Sequence, residues 1–250
     1  MNQRKKVVIV GASSAIAMHT ARIWAQRGST DFILIGRDLD RLNRVALDLK
    51  SRGLGNETQA MVISFTDPLA IQHAARDIST AGAIDIVLIA HGSLGDQQRA
   101  QSDIEYCRDE LLTNGVSAVM FAEAFAGVME PVGRGALAVI GSVAGDRGRK
   151  SNYVYGAAKG LVTRYMQGLQ HRFAGTELKI VLIKPGPTET PMTAALVAGG
   201  AKMASVEEVA KGIAAAIERG QPEAYVPGKW WLIMMIIRHL PRLVFNKMNI

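Results

Sequence analysis

The run VVIVGASSAIA, Val7 to Ala17, decides the fold. Four adjacent Val and Ile side chains with no polar residue between them read as a strand buried on both faces, not one alternating between core and water. Gly11 then permits a tight turn, and a helix is predicted from about Ala15. A strand, a glycine turn and a helix N-terminus in that order aim backbone N–H groups at an anion, as the pyrophosphate of a dinucleotide requires. Ala15 and Ala17 stand where many such loops carry glycine, and each methyl threatens to crowd the pyrophosphate or the packing of helix on sheet. Taken alone, the stretch also reads as an ordinary strand-to-helix turn.

Outward from this stretch the same unit repeats. DFILIG (31–36) precedes a helix predicted over Leu39 to Ser51. AMVISF (60–65), DIVLIAHG (85–92) and GALAVIGS (135–142) are each followed by a helix-period segment, and LKIVLIKPG (178–186) closes the series. Short Val- and Ile-rich runs alternating with helices predict an α/β architecture, a doubly wound parallel sheet of the Rossmann type. No linker or internal repeat marks a second domain. A single domain is expected over residues 1–228, with an apolar and basic helical extension over 229–250. With 250 residues, 48% hydrophobic and 20% charged, the chain can bury one sizeable core.

The opening MNQRKKVVIVGASSAIA imitates a signal peptide, with basic residues, an apolar stretch and an Ala15-Ile16-Ala17 triplet resembling a cleavage site. Its uninterrupted apolar core is only Val7 to Val10, so the strand-and-turn reading is preferred. No segment approaches the ~20 apolar residues of a membrane span. The formal net charge is +7, of which Lys229, Arg238, Arg242 and Lys247 supply +4 in a tail that holds no Asp or Glu. The basic bias is thus partly a property of the tail, and nucleic-acid binding is not expected. The lone Cys107 excludes an intrachain disulfide and fits a reducing compartment, so a cytoplasmic location is expected. No metal site is expected.

The second strand ends in Ile35-Gly36-Arg37, where dinucleotide enzymes meet the adenosine ribose. A carboxylate there would accept from the ribose 2′-hydroxyl of NAD, whereas the Arg37 guanidinium suits the 2′-phosphate of NADP. Asp38 is expected to cap the following helix. A solvated arginine is the alternative. Farther along, Ser142 in VIGSVAG is followed by Tyr155-Gly-Ala-Ala-Lys159, a spacing that puts phenol and ammonium on one helical face. A nearby cation lowers a tyrosine pKa from its usual ~10 and makes the phenol a usable acid near neutrality. In isolation the pair also reads as a solvated helix face.

The Gly11 loop, Asp67 after the third strand, His91-Gly92 after the fourth, Asn114, Ser142, Tyr155 with Lys159, and PGPTETPM from Pro185 stand in the order and spacing of the short-chain dehydrogenase/reductases. The chain resembles that family over about residues 5 to 195. The resemblance implies that Tyr155 is the general acid/base and that Ser142 hydrogen-bonds the reacting oxygen. It implies that Lys159 binds the nicotinamide ribose and lowers the Tyr155 pKa, and that Asn114 holds a water linking Lys159 to solvent. Gly11, Ser13, Ser14, Ala15, Ile16, Arg37, Asp67, His91, Gly92, Pro185, Gly186 and Thr188 become the implied contacts of NADP(H), with Thr188 at the nicotinamide amide. In the reducing direction a ketone would become a secondary alcohol. Two departures stand out: alanines at 15 and 17, and Ile89-Ala90-His91-Gly92 where an Asn-Asn-Ala-Gly type segment is usual. His91 is expected to pack near the cofactor.

Within the family, GDRGRKSNYVY (145–155), HGSLGD (91–96) and the ending MMIIRHLPR resemble the reductase branch of the decaprenylphosphoryl ribose to arabinose epimerase pair, in which a flavin oxidase makes a 2-keto sugar on a polyprenyl phosphate. The branch implies a lipid-linked keto-sugar substrate and a flavin oxidase partner. Arg147, Arg149 and Lys150 would attract the phosphodiester, the alternative being a solvated basic loop. The tail is expected to form one helix, or two broken before Pro241, with Trp230, Trp231, Met234, Ile237 and Leu240 on an apolar side. It would rest peripherally on the cytoplasmic face of the inner membrane through 230–250, or cover the pocket, or line a subunit interface in a homo-oligomer. A soluble or hydrophobic small ketone is the alternative substrate, and a non-catalytic NADP-binding scaffold the alternative class.

Overall fold

A computed structural model describes residues 4–194, 198–200 and 202–248. Seven strands, β1 (Lys5–Val10), β2 (Thr30–Gly36), β3 (Glu57–Val62), β4 (Ile86–Ile89), β5 (Arg134–Ile140), β6 (Glu177–Pro185) and β7 (Glu223–Val226), form one sheet in the order β3-β2-β1-β4-β5-β6-β7. Every pairing is parallel. The strand order reverses between β1 and β4, and in such sheets the crevice beyond the carboxyl ends at that point receives ligands.

Among the described residues the named α-helices are α1 (Ala15–Ala25), α2 (Leu39–Ser51), α3 (Pro68–Thr80), α4 (Gln97–Ser102), α5 (Ile104–Leu111), α6 (Ser117–Met129), α7 (Tyr153–Arg172), α8 (Val206–Arg219), α9 (Lys229–His239) and α10 (Arg242–Phe245). The unbroken apolar run of β1 explains why they cover both faces. Val7 and Ile9 join the core with Ala17, Ala21 and Ile213 on one side, while Val8 and Val10 join Phe121, Phe125 and Met166 on the other. Each of the Val, Ile, Phe and Met side chains, fully buried, contributes about 1.5–3 kcal/mol of transfer free energy.

Three sequence expectations are corrected. The third strand is Glu57–Val62, earlier than 60–65; it is an edge of the sheet, and none of its residues is fully buried. The seventh strand was not anticipated: Glu-Ala-Tyr-Val is too short and too polar to read as a buried run. Helix is continuous from Ile104 to Met129 through a π-helical turn at Leu112–Val116, and by length and mean hydropathy it could cross a bilayer, which no segment was expected to do. Its Phe121, Phe125 and Met129 face is packed on the sheet. Ala17 is accommodated, fully buried where α1 meets the sheet, and no non-glycine described residue has positive φ.

Candidate active site

The turn after β1 is set by Gly11, whose φ of 78° lies in the left-handed region. A Cβ there would sit 2.7 Å from His91 N and Cβ, so only glycine lets the β1 and β4 ends approach. Ser14 occupies the N-cap of α1 without capping it through its hydroxyl. The first-turn N–H groups and the Ser13 and Ser14 hydroxyls are therefore left for an anion.

A groove of about 600 Å³ opens over this turn, lined by Gly11, Ser13, Ser14, Ala15, Ile16, Arg37, His91 and Gly92. Arg37 lines this groove, its guanidinium 5.8 Å from the Phe65 ring centroid. Asp38 caps α2 by accepting from Arg41 N at 3.0 Å, as the sequence led us to expect. Phe65 and Arg41 are among the further lining residues that were not anticipated. The spacing of Arg37 and Arg41, four residues apart at a helix start, was the available signal for a second cation.

Asp67 is not among the residues that line the groove. Its carboxylate accepts from Leu69 N (2.9 Å) and Ala70 N (3.2 Å) as the N-cap of α3. His91 lines the groove but has no acid to offer. Ser117 Oγ donates to the Phe65 carbonyl at 2.7 Å, so the His91 Nε2–H donates to Ser117 Oγ at 2.9 Å. Its ring packs edge-on against Phe65 and Phe121. Burial first, then the Lys159 and Arg37 charges, lower its pKa to about 3, so the ring is neutral.

A cavity of about 230 Å³ adjoins the groove and is lined by Asn114, Ser142, Tyr155, Lys159, Gly92, Pro185, Gly186, Thr188 and Arg149. β5 delivers Ser142 and α7 delivers Tyr155 and Lys159. Lys159 Nζ donates to the Ile140 carbonyl at 3.0 Å and lies 5.8 Å from the Tyr155 ring centroid. Burial lowers the Lys159 pKa to about 8. The expected lowering of the Tyr155 pKa is not what dominates: burial raises it, against an opposing hydrogen bond from Ser142. A fully buried phenol loses hydration of its anion, and the ammonium is turned to Ile140. Tyr155 is thus held protonated, the form a proton donor needs.

Asn114 sits in the π-helical turn, fully buried. Its Oδ1 accepts from Ser93 N (2.8 Å), and Nδ2 donates to Ser93 Oγ (3.1 Å) and Glu110 Oε2 (2.9 Å). Both side-chain amide hydrogens are committed, so among the side-chain atoms a relay water could be held only through the second lone pair of Oδ1. Thr188 donates to the Gly186 carbonyl at 2.9 Å. Gly186 has no room for a Cβ, because the Trp230 indole of α9 lies against it.

The loop between Ser142 and Tyr155 is tied to the sheet. Asp146 accepts from Lys184 Nζ and Tyr225 Oη, each at 2.7 Å, and Lys184 also pairs with Glu223 at 3.1 Å. The three basic residues of this loop separate. Arg147 donates to the carbonyls of Ile237 (2.5 Å) and Leu240 (2.8 Å) and stacks 3.7 Å from the Phe245 centroid, so it clamps the tail. Lys150 is exposed and forms no part of the cavity wall. Arg149 does line the cavity; its Nε is buried without a partner, and burial lowers its pKa. Of the three expected phosphate contacts, only Arg149 is at the cavity.

The tail forms two helices broken at Pro241. Met234 is fully buried and Trp230 packs inward, but Trp231, expected on that same side, is 55% exposed with Leu232, Met235 and Ile236.

Comparison with known proteins agrees with this geometry. The family described as short chain dehydrogenase matches residues 5–200. An uncharacterized oxidoreductase of Streptomyces coelicolor is 30% identical over 98% of this chain and 96% of its own, and one of Mycobacterium tuberculosis H37Rv is 32% identical over 97% and 96%. Among solved structures, a short-chain dehydrogenase from Sphingobium yanoikuyae in complex with NADPH superposes with a TM-score of 0.79 at 22% identity, covering 98% of this chain and 96% of that one. One from Burkholderia cenocepacia in complex with NADP gives 0.81 at 19%, covering 98% and 97%. The chain belongs to the short-chain dehydrogenase/reductase family and is an oxidoreductase.

Proposed function

We propose that the protein is an NADPH-dependent ketone reductase whose substrate is a keto-sugar carried on a polyprenyl phosphate. The observation that carries the reduction is the cavity in which Ser142, a protonated Tyr155 and Lys159 meet, continuous with the groove over Gly11. The groove suits the cofactor. Unpaired helix N–H groups face the pyrophosphate position, Arg37 and Arg41 offer cations to a 2′-phosphate, and two structural neighbours hold NADP or NADPH.

NADPH bound there supplies a hydride to the ketone carbon. Tyr155 gives its phenolic proton to the oxygen, so that ketone, hydride and proton make a secondary alcohol without a free alkoxide. The Ser142 hydroxyl hydrogen-bonds that oxygen and holds it against the phenol. Lys159, charged at neutral pH, offers its remaining N–H donors to a ribose hydroxyl and favours the tyrosinate left behind.

The lipid-phosphate reading is supported by Arg149, a half-buried guanidinium at the cavity with an unpartnered Nε, matched to a phosphodiester beside the sugar. It is also supported by the outward stripe of α9 and α10, Trp231, Leu232, Met235, Ile236, Leu243 and Val244, flanked by Lys229, Arg238, Arg242 and Lys247. Such a stripe fits peripheral contact with an anionic bilayer on the cytoplasmic side. A flavin oxidase is the class of partner that would supply the ketone.

The test is NADPH oxidation with a ketone panel that includes a polyprenyl-phosphoryl keto-sugar and soluble ketones. Turnover is expected to vanish in Tyr155→Phe, and retained turnover there would overturn the mechanism. Preference for the soluble ketones would overturn the lipid-linked substrate. Because Trp230 covers Gly186, membrane contact is tested with Trp231→Ser/Ile236→Ser, not by deleting the tail. Equal co-sedimentation of this variant and wild type with phosphatidylglycerol vesicles would remove the membrane contact.

A further inference from the structure

A second cavity, of about 350 Å³, lies against the first, and Leu94, Asn152 and Tyr155 belong to both walls. Its chemistry follows from a displaced helix cap. Asn152 holds the N-cap position of α7, where an asparagine side chain ordinarily accepts from an N–H of the first turn. Here it makes no such bond. The Val154 N–H is taken instead by Gln97 Oε1, 3.0 Å away on α4.

The exchange has two consequences. Gln97 is fixed in orientation, since its Oε1 is the acceptor and its Nε2 must therefore be a donor. Asn152 Oδ1 is released from the helix and remains an acceptor. Gln97 Nε2 and Asn152 Oδ1 are both buried and both without a partner, on the wall of one cavity. Glu110 stands on the same wall, its carboxylate held by Ser93 Oγ and Asn114 Nδ2, each at 2.9 Å. Buried amide atoms left unpaired are costly, and two of them beside the proton-donating tyrosine mark a place for a polar ligand. A hydrocarbon there would leave both unpaired.

We propose that this cavity is a hydroxyl subsite: the ketone reduced at Tyr155 carries neighbouring hydroxyl groups, with Gln97 Nε2 donating to one hydroxyl oxygen and Asn152 Oδ1 accepting from a hydroxyl proton. The ligand class is a neutral polyol such as a furanose ring. The inference rests on the keto-sugar reading above and deepens it, by assigning the residues that recognise the sugar and not its lipid.

Saturation-transfer-difference NMR on the NADP-loaded protein tests it, with methyl ribofuranoside, its 2-deoxy and 3-deoxy analogues, and methoxycyclopentane as probes. The riboside is expected to bind wild type. Gln97→Glu keeps an acceptor for the Val154 N–H while removing the donor, and Asn152→Ala removes the acceptor; each is expected to weaken riboside binding about five- to tenfold. A deoxy analogue lacking the contacted hydroxyl is expected to lose the same factor on wild type and nothing more on the matching variant. NADPH affinity and melting temperature check that both variants fold. No riboside signal on wild type, equal binding of riboside and methoxycyclopentane, or equal loss of both in the variants would overturn the subsite. The ketone panel is run beside it: riboside binding with no ketone turnover would sink the reduction reading and leave the subsite standing.

Discussion

Lys159→Met is expected to stabilise the cofactor-free protein while abolishing turnover. The wild-type ammonium is buried, donates to Ile140 O at 3.0 Å, and has its pKa lowered by burial from 10.5 to about 8. At pH 7 the lysine is protonated in both the folded and the unfolded chain, so the fold carries the whole cost of that charge. The gap between the two pKa values corresponds to roughly 3 kcal/mol at ~1.4 kcal/mol per decade. Methionine removes this cost but also removes a hydrogen bond and leaves a carbonyl unsatisfied, together about 1–2 kcal/mol. The net gain is about 1–2 kcal/mol, or roughly 2–8 °C in Tm for a chain of this size. Between pH 8 and 10.5 the unfolded chain keeps a proton that the folded lysine releases, so wild-type stability rises with pH there and the advantage of the variant shrinks. Tyr155, its pKa raised, acts oppositely once the unfolded phenol ionises near pH 10. Differential scanning fluorimetry of both proteins from pH 7 to 9.5 therefore isolates the lysine. A lower Tm for the variant at pH 7, or an advantage that does not narrow by pH 9.5, would refute the reasoning.

Other variants probe the remaining assignments. Arg37→Ala should weaken NADPH binding about 10- to 100-fold and NADH binding by less than about threefold, measured by fluorescence titration, since a charge-assisted bond to a phosphate contributes about 1.5–3 kcal/mol; equal losses would remove the 2′-phosphate role. Asp67→Ala should lower stability by about 1 kcal/mol through the lost cap yet leave the NADPH Kd within about twofold; a large loss of affinity would return Asp67 to the cofactor site. Arg147→Ala should release the tail and speed tryptic cleavage at Arg238 and Arg242, with Arg147→Lys a poor rescue because an ammonium cannot replace a planar guanidinium on Phe245; an unchanged digest would contradict the clamp.

What was legible in the sequence was what is local. Gly11, the α1 start and Arg37 follow one another within a single strand-helix unit, and Tyr155 and Lys159 share one helical turn, so spacing alone brings each set together. Asp38 was read as a cap because a cap is defined by its immediate neighbours. Asp67 was assigned to cofactor by the family order, and it too is an N-cap; both Asp residues precede a helix, and that local signal announces the cap. The Tyr155 pKa was misjudged because spacing reports a neighbouring charge but not burial, which here is the larger effect.

What was illegible depends on partners remote in sequence. Arg147 meets backbone carbonyls 90 and 93 residues away, and a carbonyl carries no signature of the residue that owns it. A basic loop near a catalytic tyrosine therefore looks uniform until the tail is folded over it. Only then does one guanidinium become a clamp, one a cavity wall and one lysine a solvated charge. The tail shows the same limit from its other side. Its composition announces an apolar helix, but Trp230 and Trp231 are adjacent and equally apolar, and only the position of Gly186 decides which packs inward. A helix with Trp230 and Met234 against the protein and Trp231, Leu232, Met235 and Ile236 outward packs one face on two residues of the cavity wall, Gly186 and Arg149, and leaves the other exposed. The inward packing and the proposed membrane contact of the tail thus concern different side chains and do not compete.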